Sequence, residues 1–314
     1  GRRGLALLVL VAIDGAISAS RDPDDLEQEL LEFGAYLGDP KSPPGGGSDL
    51  DLSLLKRGRD SKCETVILTD ILGSRPDPQL KIRGAPKFDY MERWYRSVLT
   101  VPGGRMKSVV LHDILDENIT NTYTTRDGAV SFRKVDISGM DPIMGLNDLR
   151  FLLFEEELNK HPEWDTVFLT DIRDVVVVHN PCSLVEERPD ALFVQSEKSS
   201  MKPFPYVRGK FEEMGGKYLE WYKAQEDGKV TLLNAGIIGG RRSRVLDALA
   251  EINQALLDPM LEVRRNGSNV RVNMPAINYV FHAQLGDDKI VTGAPLHSKF
   301  WAYEDRADVY FKHK

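Results

Sequence analysis

The chain has 314 residues, 41% apolar and 28% charged, which is enough for one large or two small domains with a sizeable core. A formal net charge of −7 argues against a nucleic-acid partner, which normally meets a basic face, but leaves small anions open because a bound cation can supply local positive charge. Two cysteines, Cys63 and Cys182, are too few for a disulfide framework and form no CxxC pair for structural zinc; in a secreted protein they suffice for one bridge.

The first residues read as a targeting segment. Arg2 and Arg3 precede the apolar run Leu5 to Ile13, and small residues follow from Ala16 to Ser20. That is the layout of a signal peptide, and the run is short of the roughly 20 apolar residues that span a bilayer. A truncated signal anchor in the membrane and a buried strand at a domain edge are the other readings. The sequons Asn118-Ile119-Thr120 and Asn266-Gly267-Ser268 fit a secretory route, through the endoplasmic reticulum or Golgi lumen. Asp22 to Leu37 is acidic and reads as a short helix, and residues 38–48, GDPKSPPGGGS, have linker composition. The division expected is a signal segment over 1–20, a stem over 21–61 and one domain over 62–314.

Within that domain apolar runs alternate with helical patterns. Glu64 to Thr69 reads as a strand, Phe88 to Leu99 as a helix and Lys107 to Leu111 as a strand. Asn147 or Asp148 is expected to cap a helix carrying Leu149, Leu152, Leu153 and Phe154, ending before Pro162. Thr166 to Thr170 and Ala191 to Val194 are further strands, and Ser243 is expected to cap a helix with Leu246, Leu249, Ile252 and Leu256 on its apolar face. Short, continuously apolar strands between helices imply an α/β fold, with a mostly parallel sheet covered on both faces. Such sheets bind ligands beyond the carboxyl ends of their strands, so the residues just after each run matter most.

Three segments stand out there. Asp171 follows the strand Thr166 to Thr170, and Asp174 comes three residues later through a turn, so two carboxylates can share one hard cation. The bland alternative is a turn-capping Asp beside a solvated one. Pro295 to Phe300 holds His297 and Lys299 in a turn-rich stretch; a neutral imidazole suits manganese and the lysine suits a diphosphate oxygen. Leu233 to Gly240, LNAGIIGG, flanks an apolar run with small residues that let backbone approach a ligand, or simply carry a strand into a helix.

Taken in order, VILTDILGS (66–74), the aromatic and arginine-bearing stretch 88–99, FLTDIRDVVV (168–177), ALFVQSE (191–197), LNAGIIGG (233–240) and PLHSKF (295–300) resemble GT-A glycosyltransferases. The likeness is to the glucosyltransferase domain of multifunctional collagen lysyl hydroxylases and, more distantly, to glycogenin-like enzymes, and spans about four fifths of the chain. It implies a GT-A, Rossmann-like single domain that moves a sugar from a nucleotide-diphosphate donor, a UDP-sugar, to a glycan or glycoprotein acceptor. It implies Mn2+ or Mg2+ held by Asp171, Asp174 and His297. Thr69 and Asp70 would face the nucleotide base, Arg150 and Lys299 would lie near the donor, and Asn234, Ala235 and Gly236 would line the sugar pocket. Glu197 would contact donor sugar or acceptor. The segment Asn273 to Asn278 departs from the family, which often has an acidic residue where Asn273 stands.

The resemblance leans toward retention of anomeric configuration; an inverting reaction would need a carboxylate base, for which Glu197 is the candidate. A haloacid-dehalogenase-type phosphatase would need a second Asp two residues after the first, where Arg173 and Leu72 stand instead. A nucleotidyltransferase would open on a glycine-rich loop, and Val66 to Ser74 has only Gly73. A degenerate GT-A protein that binds glycan or nucleotide without turnover is the non-enzymatic alternative.

Overall fold

The computed structural model describes residues 63–75, 87–101, 105–202, 204–226, 228–263, 271–299 and 308–313. The expected signal segment, the stem, the acidic stretch Asp22 to Leu37 and the sequon at Asn266 lie outside them. Among the described residues no helix is long and apolar enough to cross a membrane.

The fold is α/β. Seven strands form the central sheet: β1 (Glu64–Ile71), β2 (Arg105–His112), β3 (Val130–Lys134), β4 (Thr166–Thr170), β6 (Leu192–Ser200), β7 (Thr231–Arg241) and β8 (Ile290–Val291). Their order is β3-β2-β1-β4-β7-β6-β8. All neighbours pair in parallel except β7, which runs antiparallel between β4 and β6. A second sheet joins β5 (Val175–Val177), β10 (Phe311–His313) and β9 (His297–Lys299), with β10 in the middle.

The helices are α1 (Glu92–Thr100), α2 (Glu117–Tyr123), α3 (Leu146–Lys160), α4 (Cys182–Glu187), α5 (Pro205–Met214), α6 (Gly216–Ala224), α7 (Arg242–Val263) and α8 (Asn273–Tyr279). Strand residues alternate between two cores, as a pleat requires. Val66, Leu68, Val167, Leu169 and Ile238 pack with Leu149 and Leu153 of α3 and Leu249 and Ile252 of α7. Ile67, Val110, Phe168 and Ile237 face the other way, toward Trp94 of α1, Leu184 of α4 and Phe311 of β10. Both faces are covered, which is why these strands read as unbroken apolar runs.

Two capping expectations are corrected. Helix α3 starts at Leu146 behind Gly145, and no side chain caps it. Asp148 sits inside its first turn and instead accepts the N–H groups of Val272 (2.9 Å) and Asn273 (3.2 Å) at the start of α8. Helix α7 begins at Arg242 directly after β7, so Ser243 is its second residue and not its cap.

Cys63, just before β1, and Cys182, at the start of α4, form a disulfide with Cα atoms 6.1 Å apart. It lies at the amino-terminal edge of the sheet. Asn118 of the other sequon is exposed in the first turn of α2.

Candidate active site

The carboxyl edge of β1, β2 and β4 gathers charge. Asp70 is the penultimate residue of β1, Asp113 follows β2 and Asp171 follows β4. Asp113 accepts the N–H groups of Gly73 (2.8 Å) and Ser74 (3.0 Å) and so ties down the loop after β1. Asp171 is held in register by its own N–H, which donates to Gly236 O at 3.0 Å and extends the β4–β7 ladder by one residue. Behind it, Trp94 is fully buried and its Nε1 donates to Thr170 Oγ1 at 3.0 Å, which fixes the end of β4.

Arg150 reaches this edge from α3 and donates through Nη1 to Asp171 Oδ1. Burial pushes the Asp171 pKa up, but the Arg150 guanidinium and the His313 ring outweigh it and hold the carboxyl well below the usual range. Asp70 has no such direct partner among the described residues. Burial raises its pKa to about 6; Arg150 opposes this, and Asp171 and Asp113 add to it. Tyr90 completes the rim. Burial pushes its phenol up to about 12, with Arg173 opposing and the carboxylates of Asp70, Asp174 and Asp171 reinforcing the shift. The Arg173 guanidinium lies 5.6 Å from the centre of the Tyr90 ring.

The three expected cation ligands are not gathered into one set. The turn Ile172 to Asp174 leads from Asp171 into β5, whose strand partner is β10, not β9. His313 therefore lies opposite Val175, one residue past Asp174, whereas His297 lies a strand further out and opposite Phe311. His297 is buried, and its Nε2 accepts the Ser196 N–H at 3.0 Å. Burial, and then the neighbouring His313, lower its pKa to about 3, so it stays neutral as an anchor for β6.

His313, not His297, is the histidine beside Asp171. Its Nε2 lies 3.7 Å from Asp171 Oδ2 and has no hydrogen-bond partner, although the atom is buried. No third His, Cys, Asp or Glu among the described residues joins this pair within 4.8 Å; the one such triple is Cys63, Cys182 and Glu186, around the disulfide. Sequence reasoning passed over His313. The available signal was an aromatic pair, Tyr310-Phe311, running into His313 and Lys314.

The other expected residues divide in two groups. Asn234 and Glu197 are brought together across β7 and β6: Asn234 Nδ2 donates to Glu197 Oε1 at 2.7 Å, and Asn234 Oδ1 accepts the Gly236 N–H at 2.7 Å. Ala235 is buried beside them. A Cβ at Gly236 would lie 2.5 Å from Gln195 Oε1 and 2.7 Å from His313 Nε2, so a side chain there would displace these two groups. Thr69 is fully buried and its hydroxyl donates to Thr170 O at 2.7 Å, so it presents no polar group at the edge and Asp70 does. Lys299 is placed on β9 opposite His313 by its backbone, and its side chain lies outside the described part. Asn273 opens α8 with its N–H on Asp148.

No family model and no curated protein matches this chain.

Proposed function

We propose that the chain is a GT-A-type, divalent-cation-dependent glycosyltransferase that takes a nucleotide-diphosphate sugar, a UDP-sugar, as donor. The reading rests above all on the Asp171–His313 pair: an ionised carboxylate facing a buried ring nitrogen with no partner, 3.7 Å away, at the carboxyl edge of the sheet. Carboxylate oxygen with neutral imidazole is a donor set that suits Mn2+ and accommodates Mg2+. The fit is therefore to Asp171 and His313; Asp174, on the adjoining turn, does not join them within 4.8 Å. A cation bound there would neutralise charge building on the leaving diphosphate.

The chain's own residues would do the rest. Arg150 keeps Asp171 ionised and fixes the orientation of its carboxylate. Asn234 on β7 holds Glu197 on β6, and donor sugar and acceptor would meet beside this pair. Holding the two reactants in one geometry supplies much of the acceleration in such a transfer. Retention is the preferred stereochemical reading; under inversion Glu197 would take the proton of the acceptor hydroxyl. A glycan or glycoprotein acceptor and a secretory compartment complete the proposal, the latter supported by the disulfide.

The ion pair between Arg150 and Asp171 favours one second reading, a descendant that binds without turnover because the guanidinium stands in for the cation. A panel of nucleotide sugars, scored for slow hydrolysis with Mn2+ and with chelator, separates the two. The enzyme hydrolyses one donor only with metal, and loses this with Asp171→Asn or His313→Ala. Metal-independent nucleotide binding without hydrolysis would support the binder.

A further inference from the structure

A buried glutamine stands behind His313. Gln195 is fully buried on β6 at a break in strand register: Val194 pairs with Ile238, but Gln195 pairs with Asn234. Ala235, Gly236 and Ile237 are the extra residues on β7 between those partners. The missing side chain at Gly236 leaves the room in which the Gln195 amide and the His313 ring meet. The amide is bonded to His313 Nδ1, the nitrogen turned away from Asp171.

That bond governs which ring nitrogen carries the proton. If the amide nitrogen donates to Nδ1, the proton of a neutral ring sits on Nε2 and points at Asp171. If the amide is turned over, its oxygen accepts from Nδ1–H, and Nε2 keeps a lone pair directed at Asp171 Oδ2. The two orientations occupy the same space and differ only in exchanging O and N. The other end of the amide has no partner, since Oε1 is buried and unbonded, so the surrounding protein does not select between them. A cation at His313 selects the second, because it needs the lone pair.

We infer that Gln195 is a positioning residue for His313: through its side-chain oxygen it holds the Nδ1–H tautomer and leaves Nε2 free to ligate beside Asp171. This rests on the cation site proposed above. Partners that accept the second N–H of a ligating histidine change metal affinity by about 10–100-fold when removed.

The test uses the full chain, with Mn2+ affinity read by electron paramagnetic resonance in the presence of UDP. Gln195→Met keeps the volume and removes the acceptor; Gln195→Glu can only accept. The Met variant should bind Mn2+ about 10–100-fold more weakly, and the Glu variant within about threefold of the parent. Long-range 15N spectra of the parent with Mg2+ should show His313 protonated at Nδ1, a readout that does not depend on the Met variant folding. Protonation at Nε2 in the Mg2+ complex, or parental affinity in a folded Met variant, overturns the inference. In both cases loss of Mn2+ by Asp171→Asn and His313→Ala leaves the cation site standing. If those two variants also bind Mn2+ like the parent, the site itself is wrong and the role of Gln195 falls with it.

Discussion

Asn234 Nδ2 donates to Glu197 Oε1 at 2.7 Å, tying the carboxylate of β6 to the strand that also supplies the Gly236 carbonyl under Asp171. The Glu197→Gln variant keeps an oxygen that can accept from Asn234 at almost the same volume. Its melting temperature should stay within about 2 °C of the parent. Sugar transfer should fall about 10²-fold, within the range for a carboxylate acting on a transferred proton or its equivalent charge. Unchanged steady-state transfer would remove Glu197 from the reaction.

Arg150 is the positive charge among Asp70, Asp148 and Asp171. Breaking a buried pair from one side costs about 3–5 kcal/mol, less where solvent reaches a partner, and Asp171 is 27% exposed. Arg150→Met should therefore lose about 2 kcal/mol without metal. Mn2+ should restore most of that loss, since a cation at Asp171 answers the same excess of negative charge. Thermal melts of parent and variant with Mn2+ or chelator measure it; equal Mn2+ stabilisation of both proteins would sink the idea.

Much of this architecture was legible because burial on both faces writes itself into β1, β2, β4 and β6 as continuous apolar runs. The strand β3, VSFRK, was not, since it is an edge strand with only its first residue, Val130, buried. Strands β5, β9 and β10 have three residues each, too few for any period to register. The pairing of β5 with β10 joins segments more than 130 positions apart, so nothing local in PLHSK or FKHK says which histidine lies beside Asp171. Asp171 itself was legible because it needs only the end of an apolar run. His313 needed the strand order β5-β10-β9.

Asp148 makes stability depend on pH. Burial, opposed by the Val272 and Asn273 N–H groups and by Arg150, raises its pKa from 3.8 to about 6. Between those values the folded chain binds more protons than the unfolded one, so this group's contribution falls as pH rises from about 4 to about 6. Two pK units correspond to about 3 kcal/mol. Asp70 titrates in the same window, so the difference between parent and Asp148→Asn isolates one group. Urea unfolding should show the parent's advantage over the variant shrinking by about 3 kcal/mol between pH 4 and pH 7. An advantage that grows over that range would contradict the assignment.

The disulfide closes a sequence separation of 119 residues. On the loop-entropy argument, removing a bridge over a loop of that size destabilises by about 4–5 kcal/mol. Cys63→Ser with Cys182→Ser should lower the urea midpoint accordingly, and reductant should leave that double variant unaffected while shifting the parent toward it. Free-thiol titration of the parent should find neither cysteine until it is unfolded and reduced.

Gly236 and Gly239 lie three residues apart on β7, yet a methyl group at each should act on a different part of the molecule. At Gly236 the new atom would lie 2.5 Å from Gln195 Oε1 and 2.7 Å from His313 Nε2, both tips of side chains that can move. The backbone there needs no left-handed angle, so the response is displacement of His313 from Asp171 and not local unfolding. At Gly239 the new atom would enter the fully buried Phe168 ring, whose atoms are the nearest to it. Overfilling a packed core costs about 1–3 kcal/mol. Gly239→Ala should therefore melt several degrees lower than the parent and bind Mn2+ like it below that temperature. Gly236→Ala should melt closer to the parent and bind Mn2+ at least tenfold more weakly, since one ligand has moved; a tenfold change is about 1.4 kcal/mol. Paired melting curves and Mn2+ titrations on the two variants decide it. Parental Mn2+ affinity in Gly236→Ala would mean that His313 does not ligate, and the cation would have to be sought elsewhere on the carboxyl edge.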